Sequence, residues 1–297
     1  MRVLVLGSGI ASGLPGWNDG SAAALRARTG DPDLPRRRAS ALAVSADGVR
    51  YSLVEAPFDL TAMLTRSPRF APAAGTRAVP LDTLVLTTGD LDACAGALAL
   101  RGSLSVRIAS SIGVRTALLD HDASFRALEP IWTGFPWDRP FPLDREERLE
   151  GRLFPLPGPP PDHLREVAPT SGRARCGLRI TDQDTGARLV WAPRIARLDS
   201  ATLAELGSAD LRLVDGTCYA DAEAVQIRPG VRRATELGHV PIDGREGSLA
   251  WLAGLQGRSL YVHLSATNPA CDATSAERAR IEQAGIGVAS DDLEIET

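Results

Sequence analysis

Two carboxylates, two residues apart, sit in Thr87-Thr88-Gly89-Asp90-Leu91-Asp92-Ala93-Cys94. A third, Asp215, closes the run Leu211-Arg212-Leu213-Val214 just ahead of Gly216-Thr217. His239 lies in Leu237-Gly238-His239-Val240-Pro241, and His263 in Tyr261-Val262-His263-Leu264. Carboxylates and imidazoles are the groups that ligate zinc or iron and that move protons near neutral pH. Each also has a plainer role. An aspartate after a strand steadies the next turn, and a lone histidine on an apolar strand packs in a core. Against the plainer role, Asp92, Asp215 and His263 all fall at strand ends, where one edge of a layered structure gathers side chains. His121 and His163 lie in polar surroundings and stay outside the candidate set.

Short apolar or β-branched runs bounded by Gly, Pro, Asp or Ser must position these groups. The apolar run Leu81 to Leu86 reads as the strand before Asp90, and the small-residue run Ala95 to Leu100 reads as a helix after it. Further strands are expected over Val3 to Leu6, Ala41 to Ser45, Tyr51 to Glu55, Ser105 to Ala109, Leu178 to Thr181, Leu189 to Ala192, Leu211 to Asp215 and Leu260 to Leu264. Helices are expected over Leu60 to Thr65, Ile112 to Leu119, Ala201 to Leu206, Gly247 to Leu255 and Ser275 to Ala284, the last capped by Thr274 or Ser275. Strands dominate early and alternate with helices later, which suits a layered α/β or α+β sandwich. Thr29 to Arg38 and the proline-rich Leu153 to Thr170 read as irregular, and the second as an extended loop within one domain of residues 1–297.

Composition narrows the function classes. A net charge of -4 gives no basic face for nucleic acid. All 33 basic residues are arginine, so Schiff-base lysine chemistry and a phosphate-loop lysine are excluded. No apolar stretch approaches the roughly 20 residues of a membrane span, and Met1 to Leu6 is too short for a signal-peptide core. A cytoplasmic location is expected. Cys94, Cys176, Cys218 and Cys271 form no CxxC pair and read as small buried hydrophobes. Gly7-Ser8-Gly9-Ile10-Ala11-Ser12-Gly13 follows a strand, but its spacing is one residue too long for a dinucleotide fingerprint. Leu14-Pro15-Gly16 does not start a regular helix, so the stretch reads as a turn with positive φ.

The ordered set of motifs resembles the pyrroloquinoline quinone (PQQ) biosynthesis protein B family of the metallo-β-lactamase fold. The matching stretches are Leu6 to Asn18, Arg38 to Ser45, Glu55 to Leu60, Leu86 to Leu98, Trp191-Ala192-Pro193, Val214 to Thr217, Leu237 to His239 and His263 to Pro269. The resemblance implies a four-layer αββα sandwich with its site along one edge. It also exposes departures. The superfamily loop reads T-H-x-H-x-D-H, and here Thr88, Asp90 and Ala93 stand in the histidine positions, with Asp92 retained. Asp19-Gly20-Ser21-Ala22-Ala23 replaces the family's cysteine cluster. The later G-H ligand pair falls near Arg173-Ala174. By position, the resemblance leaves Asp92, Asp215 and His263 as metal ligands, with Asp90 able to replace a histidine, and His239 near the substrate.

Two readings follow. In the first, a reduced mononuclear site holds one iron or zinc ion on Asp92, Asp215, His263 and Asp90. His239 and Asp92 serve an oxygenase, hydroxylase or hydrolase reaction on a tyrosine-like precursor of a cofactor or natural product. In the second, no metal binds. The chain is then a pseudoenzyme that holds a small molecule such as PQQ, or a partner protein, with Arg173, Arg175, Arg194 and Arg232 meeting carboxylates. Expected partners are a small-molecule or peptide-derived precursor and proteins of the same pathway, with a homodimer open.

Overall fold

The computed structural model describes residues 1–102, 105–166, 175–223, 225, 230 and 232–297. Two seven-stranded sheets form its centre. The first contains β1 (Arg2–Gly7), β2 (Ala41–Ser45), β3 (Tyr51–Val54), β4 (Leu81–Leu86), β5 (Arg107–Ser111), β6 (Trp132–Phe135) and β14 (Glu294–Glu296). The second contains β7 (Pro140–Pro142), β8 (Leu149–Pro155), β9 (Cys176–Asp182), β10 (Arg188–Ala192), β11 (Leu211–Asp215), β12 (Arg258–Val262) and β13 (Gly287–Val288). The strand orders are β14-β1-β2-β3-β4-β5-β6 and β13-β12-β11-β10-β9-β8-β7. Pairing is antiparallel from β14 to β3 and parallel from β3 to β6. In the second sheet it is antiparallel from β7 to β10 and parallel from β10 to β13.

The two-residue period of a strand sets the layers. Leu189 and Trp191 of β10, Leu211 and Leu213 of β11, and Leu260 and Val262 of β12 join the core that the two sheets share. Val190, Val214 and Tyr261, on the opposite faces of these strands, face outward and are covered by a second cluster. That cluster includes Ala27, Leu206, Leu249, Leu252 and Ile281, from helices Ala22–Thr29, Ser200–Gly207, Leu249–Leu252 and Ala276–Gln283. Helices Leu60–Arg66 and Ile112–His121 cover the first sheet through Leu60, Met63, Val114 and Leu118. Both outer faces are thus clad in helix, giving the four layers expected, of α/β class.

Local differences from the sequence reading have local causes. Helix Ala22–Thr29 was not expected, because its buried residues are Ala24 and Ala27 and it has no large apolar stripe; Ser21 caps it by accepting from the Ala24 N–H at 3.2 Å. The stretch read as an extended loop from Leu153 begins inside β8, where Leu153 pairs with Leu178. It contains a turn of 3-10 helix at Asp162–Leu164, and its residues 167–170 lie outside the described residues. The helix expected over Ala95 to Leu100 is 3-10 rather than α. Gly13 does adopt a positive φ, 63°. No helix among the described residues is long and apolar enough to cross a membrane.

Candidate functional site

The parallel strands of both sheets deliver their chain ends to one edge. β4 ends at Leu86, and Thr87 to Asp90 lead into the short helix Leu91–Cys94. This loop is stitched to the second sheet: the Cys176 N–H donates to the Thr87 carbonyl at 2.8 Å, and Thr88 bridges to Arg175. Asp215 is the last residue of β11. β12 ends at Val262, short of the Leu260 to Leu264 strand expected, so His263 lies one residue past the strand, at φ 63°. That left-handed backbone is uncommon for a residue with a side chain. His239 follows helix Ala234–Leu237, which stops at Gly238 in the left-handed conformation. The Val240 N–H then donates to the Ile195 carbonyl at 2.6 Å and ties the His239 loop to the chain leaving β10.

A threonine hydroxyl organises the centre. Thr217 Oγ1 donates to Asp215 Oδ1 at 2.7 Å and lies 3.0 Å from His239 Nδ1 and 2.9 Å from His263 Nδ1. The Ile195 N–H donates to Asp215 Oδ2 at 2.8 Å, the Thr217 N–H to Oδ1 at 3.0 Å, and His239 Nδ1 lies 2.8 Å from Oδ2. Because the hydroxyl proton is spent on Asp215, His263 Nδ1–H must donate to Thr217. His239 Nδ1–H donates to Asp215. In its neutral form each imidazole then keeps its lone pair on Nε2. The rings stack with centroids 5.5 Å apart. His263 Nε2 is buried without a hydrogen-bond partner, 3.8 Å from Asp92 Oδ2.

Arginines occupy the other side. Arg194 Nη2 donates to Asp92 Oδ2 at 2.6 Å, and its Nε lies 3.4 Å from Asp90 Oδ2. Arg175 Nη2 donates to Asp90 at 3.0 Å, and Thr88 Oγ1 donates to the same carboxylate at 2.8 Å. Glu55, wholly buried at φ 69° beyond β3, accepts from Thr87 Oγ1 and, at 3.4 Å, from Trp191 Nε1.

These contacts fix the protonation states. Burial opposes ionisation of Asp92, but Arg194 overcomes it and holds the carboxyl well below the usual carboxylate range. Asp90 is lowered the same way, against burial, by Arg175 and Arg194. Asp215 is lowered, against burial, by His239 and by the hydrogen bond from the Ile195 N–H. Burial, reinforced by Arg194, pushes His263 down to about 4, so its ring is neutral. Burial pushes Glu55 up to about 7 despite the pull of Arg194.

The structure divides the candidate residues. Donor atoms of Asp215, His239 and His263 come within 4.8 Å of one another, and this trio is a candidate metal site. Asp92 reaches the trio only through His263, and Asp90 is bound up with Arg175, Arg194 and Thr88. Whether the residues fit a metal turns on which lone pairs are free. Asp215 accepts four hydrogen bonds, two on each oxygen. Asp90 and Asp92 each carry a guanidinium, so a metal ligated by these two carboxylates does not fit as they stand. His263 Nε2 and Glu55 Oε2 are buried with no hydrogen-bond partner.

Arg175 and Arg194, expected to meet carboxylates of a ligand, meet the chain's own. Arg232 pairs with exposed Asp162 at 3.1 Å, and Arg173 lies outside the described residues. Cys94 is buried and its Sγ lies 3.6 Å from the Gly89 carbonyl, consistent with its exclusion as a ligand. Sequence reading missed Thr217 and Glu55. Thr217 had one available signal, its place two residues past the acid that ends β11.

Comparison with known proteins agrees with this architecture. Residues 50–263, which include Asp90, Asp92, Asp215, His239 and His263, match the beta-lactamase superfamily domain. The chain is 35% identical over 301 residues to coenzyme PQQ synthesis protein B of Xanthomonas euvesicatoria pv. vesicatoria (strain 85-10), with 99% of each chain covered. It is 34% identical over 308 residues to coenzyme PQQ synthesis protein B of Rhodopseudomonas palustris (strain TIE-1), again with 99% of each covered. Among solved structures it is similar to Zn(2+)-bound PqqB from Methylobacterium extorquens, with a TM-score of 0.92, 30% identity and full coverage of both chains. A diphosphatase of the PhnP family shares the fold alone, at a TM-score of 0.65 and 17% identity over 100% of this chain and 98% of its own.

Proposed function

Because the chain belongs to the coenzyme PQQ synthesis protein B family, we propose that it works in the cytoplasm in the biosynthesis of PQQ or a related amino-acid-derived cofactor, binding a tyrosine-like precursor beside His239. The observation that carries this reading is the Asp215–His239 pair at 2.8 Å, braced by Thr217. A carboxylate on Nδ1–H orients an imidazole and stabilises its protonated form. His239 Nε2 is therefore set to take a proton from a phenol or an acidic C–H of the precursor and to return it later. About a tenth of the His239 side chain is exposed, whereas His263 is more deeply buried. His239 is the proton carrier and His263 the fixed neighbour.

One observation favours a second reading. The unpartnered Nε2 of His263 is the sort of lone pair that a metal takes up, and a ligating histidine ordinarily donates its other N–H as His263 does to Thr217. In that reading one iron or zinc ion would be held by His263 with Asp215 and would supply Lewis-acid or oxygen chemistry, leaving His239 to move the proton.

The pathway reading is tested by expressing the chain in a bacterium that lacks its own PQQ synthesis protein B and measuring PQQ by mass spectrometry. Restored PQQ with the native chain, and at least about a hundredfold less with His239→Ala, is the outcome expected of a general acid–base residue. No PQQ from the folded, expressed native chain counts against the proposal.

A further inference from the structure

We infer that Arg194 is the resident cation of this site, standing in the place of a metal ion between Asp90, Asp92 and Glu55. Its guanidinium meets Asp92 at 2.6 Å through Nη2 and Asp90 at 3.4 Å through Nε. Its side chain is 8% exposed, against 13% for Asp90 and 23% for Asp92. Glu55, whose Oε2 has no hydrogen-bond partner, lies within its field. Buried carboxylates demand a counter-charge, since isolated ions in a low-dielectric interior are costly. In a metal site a divalent ion meets that demand. Here Arg194 and Arg175 supply two positive charges, one for each of Asp90 and Asp92.

The residue type makes the substitution permanent. A guanidinium stays charged throughout the accessible pH range. Any divalent ion on Asp92 must sit beside that fixed charge. Like charges a few ångströms apart in a largely buried site repel strongly. The position after Asp92 is Ala93, which has no donor atom to offset the repulsion. The unused lone pair of His263 remains, but the carboxylate beside it, Asp215, is already committed to four hydrogen bonds. The site's chemistry is then binding and proton transfer on a built-in positive charge.

The test is metal content, read by elemental mass spectrometry on full-length protein purified anaerobically without a histidine tag. Samples are taken before and after incubation with zinc(II) or iron(II), and melting temperature is recorded alongside. The native chain is expected to hold far less than one metal per chain and to show no metal-dependent rise in melting temperature. Arg194→Ala, which uncovers Asp90 and Asp92 beside His263, is expected to melt lower without metal. It should take up close to one zinc per chain with a rise in melting temperature. If Arg194→Ala does not fold, Arg194→Lys is read in its place: retaining the charge, it should fold and stay metal-free. Three results overturn the inference: one tightly held metal in the native chain that Asp92→Asn removes; an Arg194→Ala chain with native melting temperature and no metal; or, when the alanine variant fails to fold, a lysine variant that unfolds or binds metal. Complementation reports on the pathway and metal content on Arg194, so failure of one is distinguishable from failure of the other.

Discussion

Thr217 has the densest set of partners of any small side chain at the site. One hydroxyl serves Asp215 Oδ1, His239 Nδ1 and His263 Nδ1, at 2.7, 3.0 and 2.9 Å. Replacing it with the nearly isosteric valine leaves the His263 Nδ1–H without an acceptor in a buried place. An unsatisfied buried donor costs about 1–3 kcal/mol. Thr217→Val is therefore expected to lose that much in urea denaturation and to weaken His239-dependent activity, while Thr217→Ser retains most of both. Imidazole nitrogen chemical shifts check the cause: the native chain should show neutral His263 protonated on Nδ1, and the valine variant a mixture of tautomers. An unchanged tautomer in Thr217→Val would remove the hydroxyl from the account.

Between elements, the loop after β3 and the helix after β4 are locked backbone to backbone. The Ala56 N–H donates to the Ala93 carbonyl at 2.6 Å, and the Gly96 N–H to the Ala56 carbonyl at 2.8 Å. That pair of bonds fixes Glu55 relative to Asp92. It needs a glycine at position 96, because a Cβ there would lie 2.0 Å from the Pro57 carbonyl oxygen and 2.9 Å from that of Ala56. Backbone cannot yield as a flexible side chain would. Gly96→Ala is expected to cost about 2–3 kcal/mol, on the order of 3–5 °C in melting temperature. A calorimetric scan within about 1 °C of the native chain would mean that the two loops are not locked in this way.

At the scale of the whole molecule, two buried groups give stability opposite pH dependences. Glu55 has a folded pKa raised from 4.5 to about 7. Its contribution is complete below its unfolded pKa and is lost as pH rises through about 7, a total of about 3 kcal/mol. His263 has a folded pKa lowered from 6.5 to about 4. Its contribution is complete above about 6.5 and is lost as pH falls through about 4, by a similar amount. Between these limits the two slopes oppose each other. Glu55→Gln should expose the His263 slope alone: relative to the native chain, the variant gains stability by up to about 3 kcal/mol between pH 4.5 and 7, then runs parallel. Urea midpoints at half-unit pH steps measure the difference, and parallel curves across the whole range would contradict it. The shared core of the two sheets, with β14 from the far end of the chain paired to β1, suits the single-domain organisation proposed from sequence, which predicts one unfolding transition in the same titrations.

The sequence by itself determined the layers and the edge. Runs such as Leu189 to Ala192 and Leu211 to Asp215 carry their pairing and facing in a two-residue period, a local property that survives without knowledge of neighbours. The same runs put Asp215 at the end of one strand and His263 near the end of the Leu260 to Leu264 run, so their gathering at one edge was legible. Ordered motifs made the family legible too. Tertiary structure alone decided what those groups do once gathered. Arg194 lies 102 residues from Asp92, and Arg175 lies 85 from Asp90. A guanidinium carries no sequence mark that separates a ligand-binding arginine from one paired inside the chain. Which charge neutralises which depends on distances of a few ångströms across two sheets, because Coulomb energy and hydrogen-bond geometry act through space and not along the chain.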